Sequence, residues 1–215
     1  MLEDNLRLTV HSRAYSLALL GLVVGFITVH CGLHYYHHHI EEVPWLILQL
    51  FELDEENNLP TWFSSFLLLN VALLMFAGAG AGRARIPESF LAAGFLLLSV
   101  DEVAGLHETL NTATDINWAI PGGVLVLVLG AFFIPYLRSL EKGMGVLFIL
   151  CGLIYVSGAV GIELLSEDMD EDSYAYSLAT ACEEGLEMVG VWAFLTINLL
   201  RFSDDKLLAI DIDPQ

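Results

Sequence analysis

Hydrophobic residues occur along the chain in six long runs separated by short polar stretches. The runs cover residues at about 14–34, 60–82, 88–110, 118–138, 144–166 and 174–200. Each run is long enough to cross the roughly 30 Å hydrocarbon core of a bilayer as an α-helix. The pattern therefore predicts an all-α integral membrane protein, a six-helix bundle that forms a single transmembrane domain over residues 1–215.

A shorter apolar stretch follows the first run, from Pro44 to Leu53. It is too short to cross a bilayer and too apolar to lie free in solution. We predict a short interfacial helix, or a lid over a site, with Trp45 at headgroup level.

Composition and the placement of basic residues agree with a membrane protein. The chain is 56% hydrophobic and 16% charged, and its mean hydropathy is +0.64. All of its Lys and Arg residues lie on one side of the six predicted spans, at the two ends of the chain and between runs two and three or four and five. They are Arg7, Arg13, Arg83, Arg85, Arg138, Lys142, Arg201 and Lys206. Because basic loops stay in the cytoplasm, both termini are predicted to be cytoplasmic, in the inner (plasma) membrane of a prokaryote.

The loops on the other side are strongly acidic, which accounts for much of the net charge of −19. Such a surface concentrates cations by its summed field. It is equally typical of proteins from salty surroundings, and the sequence leaves both interpretations open. Nucleic-acid binding is not predicted, because the chain has no basic patch to meet phosphates.

Seven carboxylates lie inside the hydrophobic runs, all in the half that faces the acidic side: Asp101, Glu102, Glu108, Glu163, Glu183, Glu184 and Glu187. One ionised acid at mid-bilayer depth costs roughly 3 kcal/mol. Seven unpaired acids would cost about 20 kcal/mol, more than the net stability of a typical domain. These side chains therefore require a compensating partner.

Helical phase groups these acids into stripes. Asp101 and Glu108 are seven residues apart and share a helix face, whereas Glu102 and His107 are predicted to point to other sides. The three acids of the last run fall within a sector of about 100°. Nearby small residues such as Gly158 would let the helices approach closely.

Carboxylates and imidazoles from several helices are the usual ligands of divalent cations. We predict a metal centre of one or two ions, with Asp101, Glu108, Glu163, Glu183 and Glu187 as core ligands. Three more residues are predicted to bind the metal or to lie directly beside its ligands: His107, Glu102 and Glu184. Iron or manganese is favoured because oxygen donors dominate, and zinc or calcium stays open. A proton-sharing carboxylate cluster and a solvated cavity are the alternatives.

A histidine-rich segment ends the first run, with His30, Cys31, His34, His37, His38 and His39. It indicates metal capture, while headgroup anchoring is an equally ordinary role for such a segment. His34 and His38 are the predicted further ligands, since residues at i and i+4 share a helix face.

The strings from Leu98 to Glu108 and from Glu183 to Gly190 carry the patterns SxDExxxxHE and EEGLEMxG. They resemble strings in uncharacterised bacterial multipass membrane proteins. The resemblance covers about the C-terminal half and implies a bacterial membrane protein, without an established activity or catalytic residues.

Three function classes remain open from the sequence. The first is a metal-dependent oxidoreductase or hydrolase that acts on a lipid or small molecule. The second is a divalent metal cation transporter or channel, and the third is an accessory subunit of a larger membrane complex. Few ionisable residues occur in the inner halves of the third, fifth and sixth runs, which favours a one-sided site and hence the enzyme. The expected partners are the bilayer, metal cations, and a homo-oligomer or larger complex.

Overall fold

The computed structural model describes residues 6–8, 12–80, 85–114, 116–203 and 210–212. The helices are α1 Ser12–His39, α2 Trp45–Phe51, α3 Leu59–Gly80, α4 Arg85–Ala104, α5 Leu106–Thr114, α6 Ala119–Ser139, α7 Lys142–Val156, α8 Glu163–Ser166 and α9 Tyr174–Ser203. A π-helical segment, Ser157–Ile162, joins α7 to α8. Two short strands, β1 Leu6–Leu8 and β2 Ile210–Ile212, pair antiparallel near the two ends of the chain. The predicted helical class is confirmed for the described residues, apart from this ribbon.

Five of the described helices are long and apolar enough to cross a membrane. They are α1, α3, α6, α9 and the continuous stretch Gly143–Ser166. The predicted third span corresponds to α4, which has 20 residues and is not one of the five. Its charged residues Arg85, Glu88, Asp101 and Glu102 explain why. The short helix predicted after the first run is present as α2.

The predicted third span is broken near its end, at Gly105. This residue has a φ of +54°, in the left-handed region that only glycine adopts without strain. An added Cβ would also collide with the Glu56 carboxylate. The single helix predicted over 88–110 is therefore wrong, because α4 ends at Ala104 and a second helix, α5, starts at Leu106.

Gly105→Ala is expected to lower the free energy of unfolding by about 1–3 kcal/mol, because alanine is strained at this φ. Thermal denaturation in detergent measures the change. Gly21→Ala is the matched control, since an added Cβ at Gly21 in α1 has nothing within 4 Å. Equal stability of the Gly105→Ala variant and the control variant would show that the bend tolerates a side chain.

The bundle packs around α9, which contacts α1, α3 and α7, while α4 packs along α3. Leu67, Met75, Met188 and Leu195 form part of its buried core. Two glycines allow the closest approach of α9 to its neighbours. A Cβ at Gly158 would lie 2.5 Å from the Glu183 carbonyl oxygen, and one at Gly190 would lie 2.8 Å from the Tyr155 nitrogen.

Helix α6 is the least buried of the long helices. Only 6% of the residues in its most apolar 18-residue segment are buried. Leu127 and Val128 are 75% and 60% exposed. A contiguous apolar surface of this kind would be unfavourable in water, and bilayer lipid would cover it.

A buried ion pair lies at the end of the bundle opposite α2. Arg201 Nη2 donates to Glu88 Oε1 at 2.8 Å, and the Tyr136 hydroxyl donates to the same oxygen at 3.1 Å. The Glu88 side chain is fully buried, and that of Arg201 is 14% exposed. This cluster fixes α4, α6 and α9 to one another.

Candidate metal centre and acidic cavity

An acidic cavity of about 380 Å³ lies at the α2 end of the bundle. Eleven carboxylate side chains line it: Asp54, Glu55, Glu56, Asp101, Glu102, Glu163, Glu167, Glu171, Glu183, Glu184 and Glu187. His107 also lines it, and within the described part of the chain no Lys or Arg does. The ionised members of this set give the cavity a negative field that attracts cations.

The structure brings most of the sequence-predicted site residues to this cavity. Its lining includes seven of them: Asp101, Glu102, His107, Glu163, Glu183, Glu184 and Glu187. The side chain of Glu108, another predicted ligand, lies outside the described residues.

The break at Gly105 lies two residues before His107, which contacts Asp101. The His107 backbone N–H donates to Asp101 Oδ1 at 3.1 Å, and its Nδ1 lies 3.0 Å from Asp101 Oδ2. The prediction that His107 points away from Asp101 was wrong, because helical phase does not continue across a left-handed residue. Glu102 precedes the break, on the same helix as Asp101, and lines the same cavity. His107 also packs against Trp118, with ring centroids 5.2 Å apart.

Glu163 reaches the cavity from the end of the π-helical segment. Asn117 Nδ2 donates to its Oε1 at 3.1 Å. A π-helical turn shifts the side-chain register within a helix and is frequent at functional sites. The close contact of Gly158 with α9 places this turn directly beside Glu183 and Glu187.

The loop between α2 and α3 supplies acids that the sequence assigned only to an acidic surface. Asp54, Glu55 and Glu56 line the cavity, and Tyr176 donates from its hydroxyl to Asp54 Oδ2 at 2.8 Å. Partial burial in the cavity wall raises the pKa of Asp54, and the neighbouring Glu52 and Glu171 carboxylates raise it further. Loop residues carry no helical phase, so the sequence offered no signal for their direction.

A second cluster lies beside the cavity and consists of His30, His34 and Glu52. One ligand atom from each lies within 4.8 Å of the others. His30 Nδ1 is 3.1 Å from Glu52 Oε1, and His34 Nε2 is 2.5 Å from Glu52 Oε2. Among the described residues this is the one group of three His, Cys, Asp or Glu side chains with such spacing. The predicted core ligands that the structure describes thus line one cavity, but no three of them have ligand atoms within 4.8 Å of one another.

The other ring nitrogens of the two histidines are held by Ser177. His30 Nε2 lies 2.9 Å from the Ser177 carbonyl oxygen, and His34 Nδ1 lies 2.9 Å from the Ser177 hydroxyl. A carbonyl only accepts, so His30 Nε2 carries a proton, and in the neutral ring the lone pair of Nδ1 accepts from the Leu53 N–H, beside Glu52. Metal-binding histidines are oriented in this way by a hydrogen bond from the second nitrogen.

Glu52 is suited to remain an anionic ligand in this cluster. Burial alone would raise the pKa of Glu52, but the hydrogen bond from His34 and the proximity of His30 outweigh it and leave the pKa below its ordinary value. The cluster is accessible, since the His34 and Glu52 side chains are 12% and 16% exposed while His30 is fully buried. Leu53 connects it to the cavity, because its N–H donates to His30 Nδ1 at 3.3 Å and its side chain lines the cavity.

Sequence reasoning selected a different histidine pair. His34 belongs to the cluster, but His38 is exposed, and its ring nitrogens lie 2.8 Å and 3.2 Å from the carbonyl oxygens of His34 and Asp172. His30 has the same i, i+4 spacing to His34 as His38 does. Glu52 is the lone charged residue of the apolar Pro44–Leu53 stretch, which is a signal that could have identified it.

Ser177→Ala is expected to weaken metal binding about 10-fold, because loss of a group that orients metal ligands typically costs 10- to 100-fold. The alanine keeps the carbonyl at His30 but removes the hydroxyl at His34. Isothermal titration of the purified protein with Zn²⁺ measures the affinity. Ser65→Ala, at a serine that bonds to Ser99 between α3 and α4, is the control and should bind normally. An unchanged affinity in the Ser177→Ala variant would show that the hydroxyl does not orient His34.

The fold and the site together define a helical protein with membrane-length apolar helices and a two-histidine, one-carboxylate group beside an acidic cavity. The chain belongs to the family described as Domain of unknown function (DUF8692), whose profile matches residues 14–202. No curated protein and no solved structure matches the chain.

Proposed function

We propose that this protein is a metal-dependent membrane enzyme that acts on a lipid or small molecule in the acidic cavity. The observation that carries the proposal is the convergence of His30, His34 and Glu52 beside that cavity. Two-histidine, one-carboxylate ligand sets occur in catalytic zinc sites and non-haem iron sites. Such sites keep coordination positions for water or substrate, whereas structural zinc sites use four protein ligands. Iron, manganese and zinc all suit this donor set.

The proposed topology is six spans with both termini in the cytoplasm of a prokaryote and the acidic cavity on the outer side of its inner membrane. Helix α4 counts as the additional span because it packs along α3, with Ser65 bonded to Ser99 between them. The pairing of β1 with β2 supports termini on one side of the bundle. Arg138 and Arg201 lie at that same end, as the positive-inside rule requires.

A one-sided site is favoured over a transport path. Below the acidic cavity, residues 188–195 of α9 carry no ionisable side chain. The buried Glu88–Arg201 pair closes the opposite end of the bundle. A permeating cation would need a polar path through this region.

The residues of the cavity and the cluster would have separate roles in catalysis. His30, His34 and Glu52 would hold a divalent metal, which would supply Lewis acidity. His107, oriented by Asp101, is placed to transfer a proton within the cavity. Asn117 holds Glu163, so that carboxylate keeps a fixed direction for substrate binding.

A divalent-cation transporter is the second candidate, and the acidic cavity itself favours it. Eleven carboxylates, with no Lys or Arg among the described lining residues, would collect cations from the outer medium.

Metal analysis and a transport assay on the same preparation separate the two candidates. For an enzyme we expect about one metal ion per chain, retained after dialysis, with no Mn²⁺ uptake into proteoliposomes. Mn²⁺ uptake that is lost in Glu52→Gln would instead establish transport. Absence of stoichiometric iron, manganese or zinc after loading at neutral pH would overturn the metal-dependent function.

A further inference from the structure

An apolar pocket of about 310 Å³ adjoins the acidic cavity. It is enclosed by α4, α6, α7, the π-helical segment and α9, and its walls include Phe95, Leu125, Leu129, Cys151 and Phe194. Its volume lies within the range of about 300–1,000 Å³ that is typical of small-molecule pockets. A pocket with such walls suits a hydrocarbon chain.

The two cavities share one wall. Leu98, Trp118 and Tyr155 line both the apolar pocket and the acidic cavity. A molecule with a hydrocarbon chain in the pocket would therefore extend its polar end past these residues into the acidic cavity.

The apolar pocket lies on the side of the bundle where packing is weakest. Leu97 of α4 and Leu125 of α6 both line it and are 61% and 56% exposed. If α4 and α6 span the membrane as proposed, the gap between them opens to the lipid chains. A membrane lipid could then enter sideways without crossing water.

Charge complementarity selects the headgroup. The carboxylates of the acidic cavity would repel a phosphate or carboxylate headgroup and attract an ammonium group. Two aromatic residues, Trp118 and Tyr155, lie at the shared wall, and an ammonium group binds to aromatic rings by cation–π interaction. An anionic phospholipid is the least suitable occupant.

We propose that the apolar pocket and the acidic cavity together form a binding site for a lipid with one hydrocarbon chain and a positively charged amine headgroup. Such a lipid would be the substrate class of the proposed enzyme, and this part of the proposal rests on the proposed function. Binding of the lipid itself needs no metal. Lipid binding and metal binding can therefore be measured, and can fail, separately.

The test compares three brominated C18 probes, an amine, an alcohol and a carboxylic acid, which share one chain and differ in headgroup charge. Bromine on the chain quenches Trp118 fluorescence when it enters the pocket. The purified full chain is reconstituted in phosphatidylcholine nanodiscs, and Trp118→Phe defines the signal from Trp118. We expect the amine to bind at least about 10-fold more tightly than the alcohol, and the acid to bind most weakly.

Two sets of variants locate the site. Gly152 lines the pocket, and an added Cβ there would have no neighbouring heavy atom within 4 Å. Gly152→Leu should therefore fill the pocket and weaken amine binding about 10-fold. Gly94→Leu serves the same purpose if the first variant does not fold. Gly130→Leu on α6 is the matched control, since Gly130 has equal space but lies outside the pocket. Glu167→Gln, in the lining of the acidic cavity, should reduce the preference for the amine over the alcohol.

Equal binding of the three probes would overturn the proposal and indicate general partition into the bilayer. Equal weakening by Gly130→Leu and Gly152→Leu would also overturn it. If the amine preference is absent while metal still binds at the His30 cluster, the lipid site fails and the metal-dependent function stands. If the preference is present and metal does not bind, the lipid site stands and the enzyme proposal fails.

Discussion

His30→Ala is expected to abolish tight metal binding by the purified protein, with a loss of affinity greater than about 100-fold. Removal of one ligand leaves His34 and Glu52, which cannot hold an ion against competing water. His30 is the most constrained of the three ligands, because it is fully buried and its Nε2 is fixed by the Ser177 carbonyl. Glu52→Gln should have a comparable effect, since the amide removes the negative charge and keeps the shape.

Isothermal titration with Zn²⁺ and metal analysis after loading with Fe²⁺ or Mn²⁺ provide the measurement. His39→Ala is the matched control, because His39 ends the same helix, is exposed, and lies outside the His30, His34 and Glu52 group. Asp101→Asn tests the competing site in the cavity. If His30→Ala binds normally and Asp101→Asn does not, the metal lies among the cavity carboxylates, as the sequence predicted.

The hydrophobic pattern predicted most of the helices because runs of bilayer length leave little choice of secondary structure. It could not predict the break at Gly105, since an isolated glycine near the end of an apolar run is compatible with a continuous helix. That break decides the direction of His107. Its consequence is larger than a shift of one helix boundary, because it places a histidine against Asp101 inside the cavity.

Most of the predicted acids line one cavity in the structure. The sequence prediction did not select His30 and Glu52, which together with His34 form a group that could hold a metal ion. Acids in membrane-length helices must face one another or water, so their convergence follows from the cost of exposure to lipid. The two-histidine, one-carboxylate cluster depends on the fold of the α2 segment back onto α1, which places Glu52 beside His30 and His34. Sequence periodicity does not report contacts between a loop and a helix.

The two ends of the bundle differ in how their charged side chains are paired. At the α2 end, eleven carboxylates share one cavity, and within the described part of the chain no Lys or Arg lines it. At the opposite end, the buried Glu88 has a permanent partner in Arg201. The first arrangement can respond to a ligand, whereas the second is fixed.

Arg201→Leu is therefore expected to lower the free energy of unfolding by about 3–5 kcal/mol, because it leaves the fully buried Glu88 carboxylate without its charged partner. Tyr136 still donates to Glu88 Oε1, but one neutral hydrogen bond does not replace the ion pair. Denaturant titration in mild detergent measures the loss. Arg138→Leu is the matched control, since Arg138 is exposed near the same end of the bundle and its removal should change stability little.

The double variant Glu88→Gln, Arg201→Leu separates the ion pair from simple loss of side-chain packing. If the unpaired charge causes the instability, the double variant should recover most of the loss seen in Arg201→Leu, because a neutral amide costs less to bury than a carboxylate. If the double variant is as unstable as Arg201→Leu, the effect comes from the packing of the arginine stem against its neighbours. In that case side-chain packing, and not the ion pair, stabilises the end of the bundle opposite the cavity.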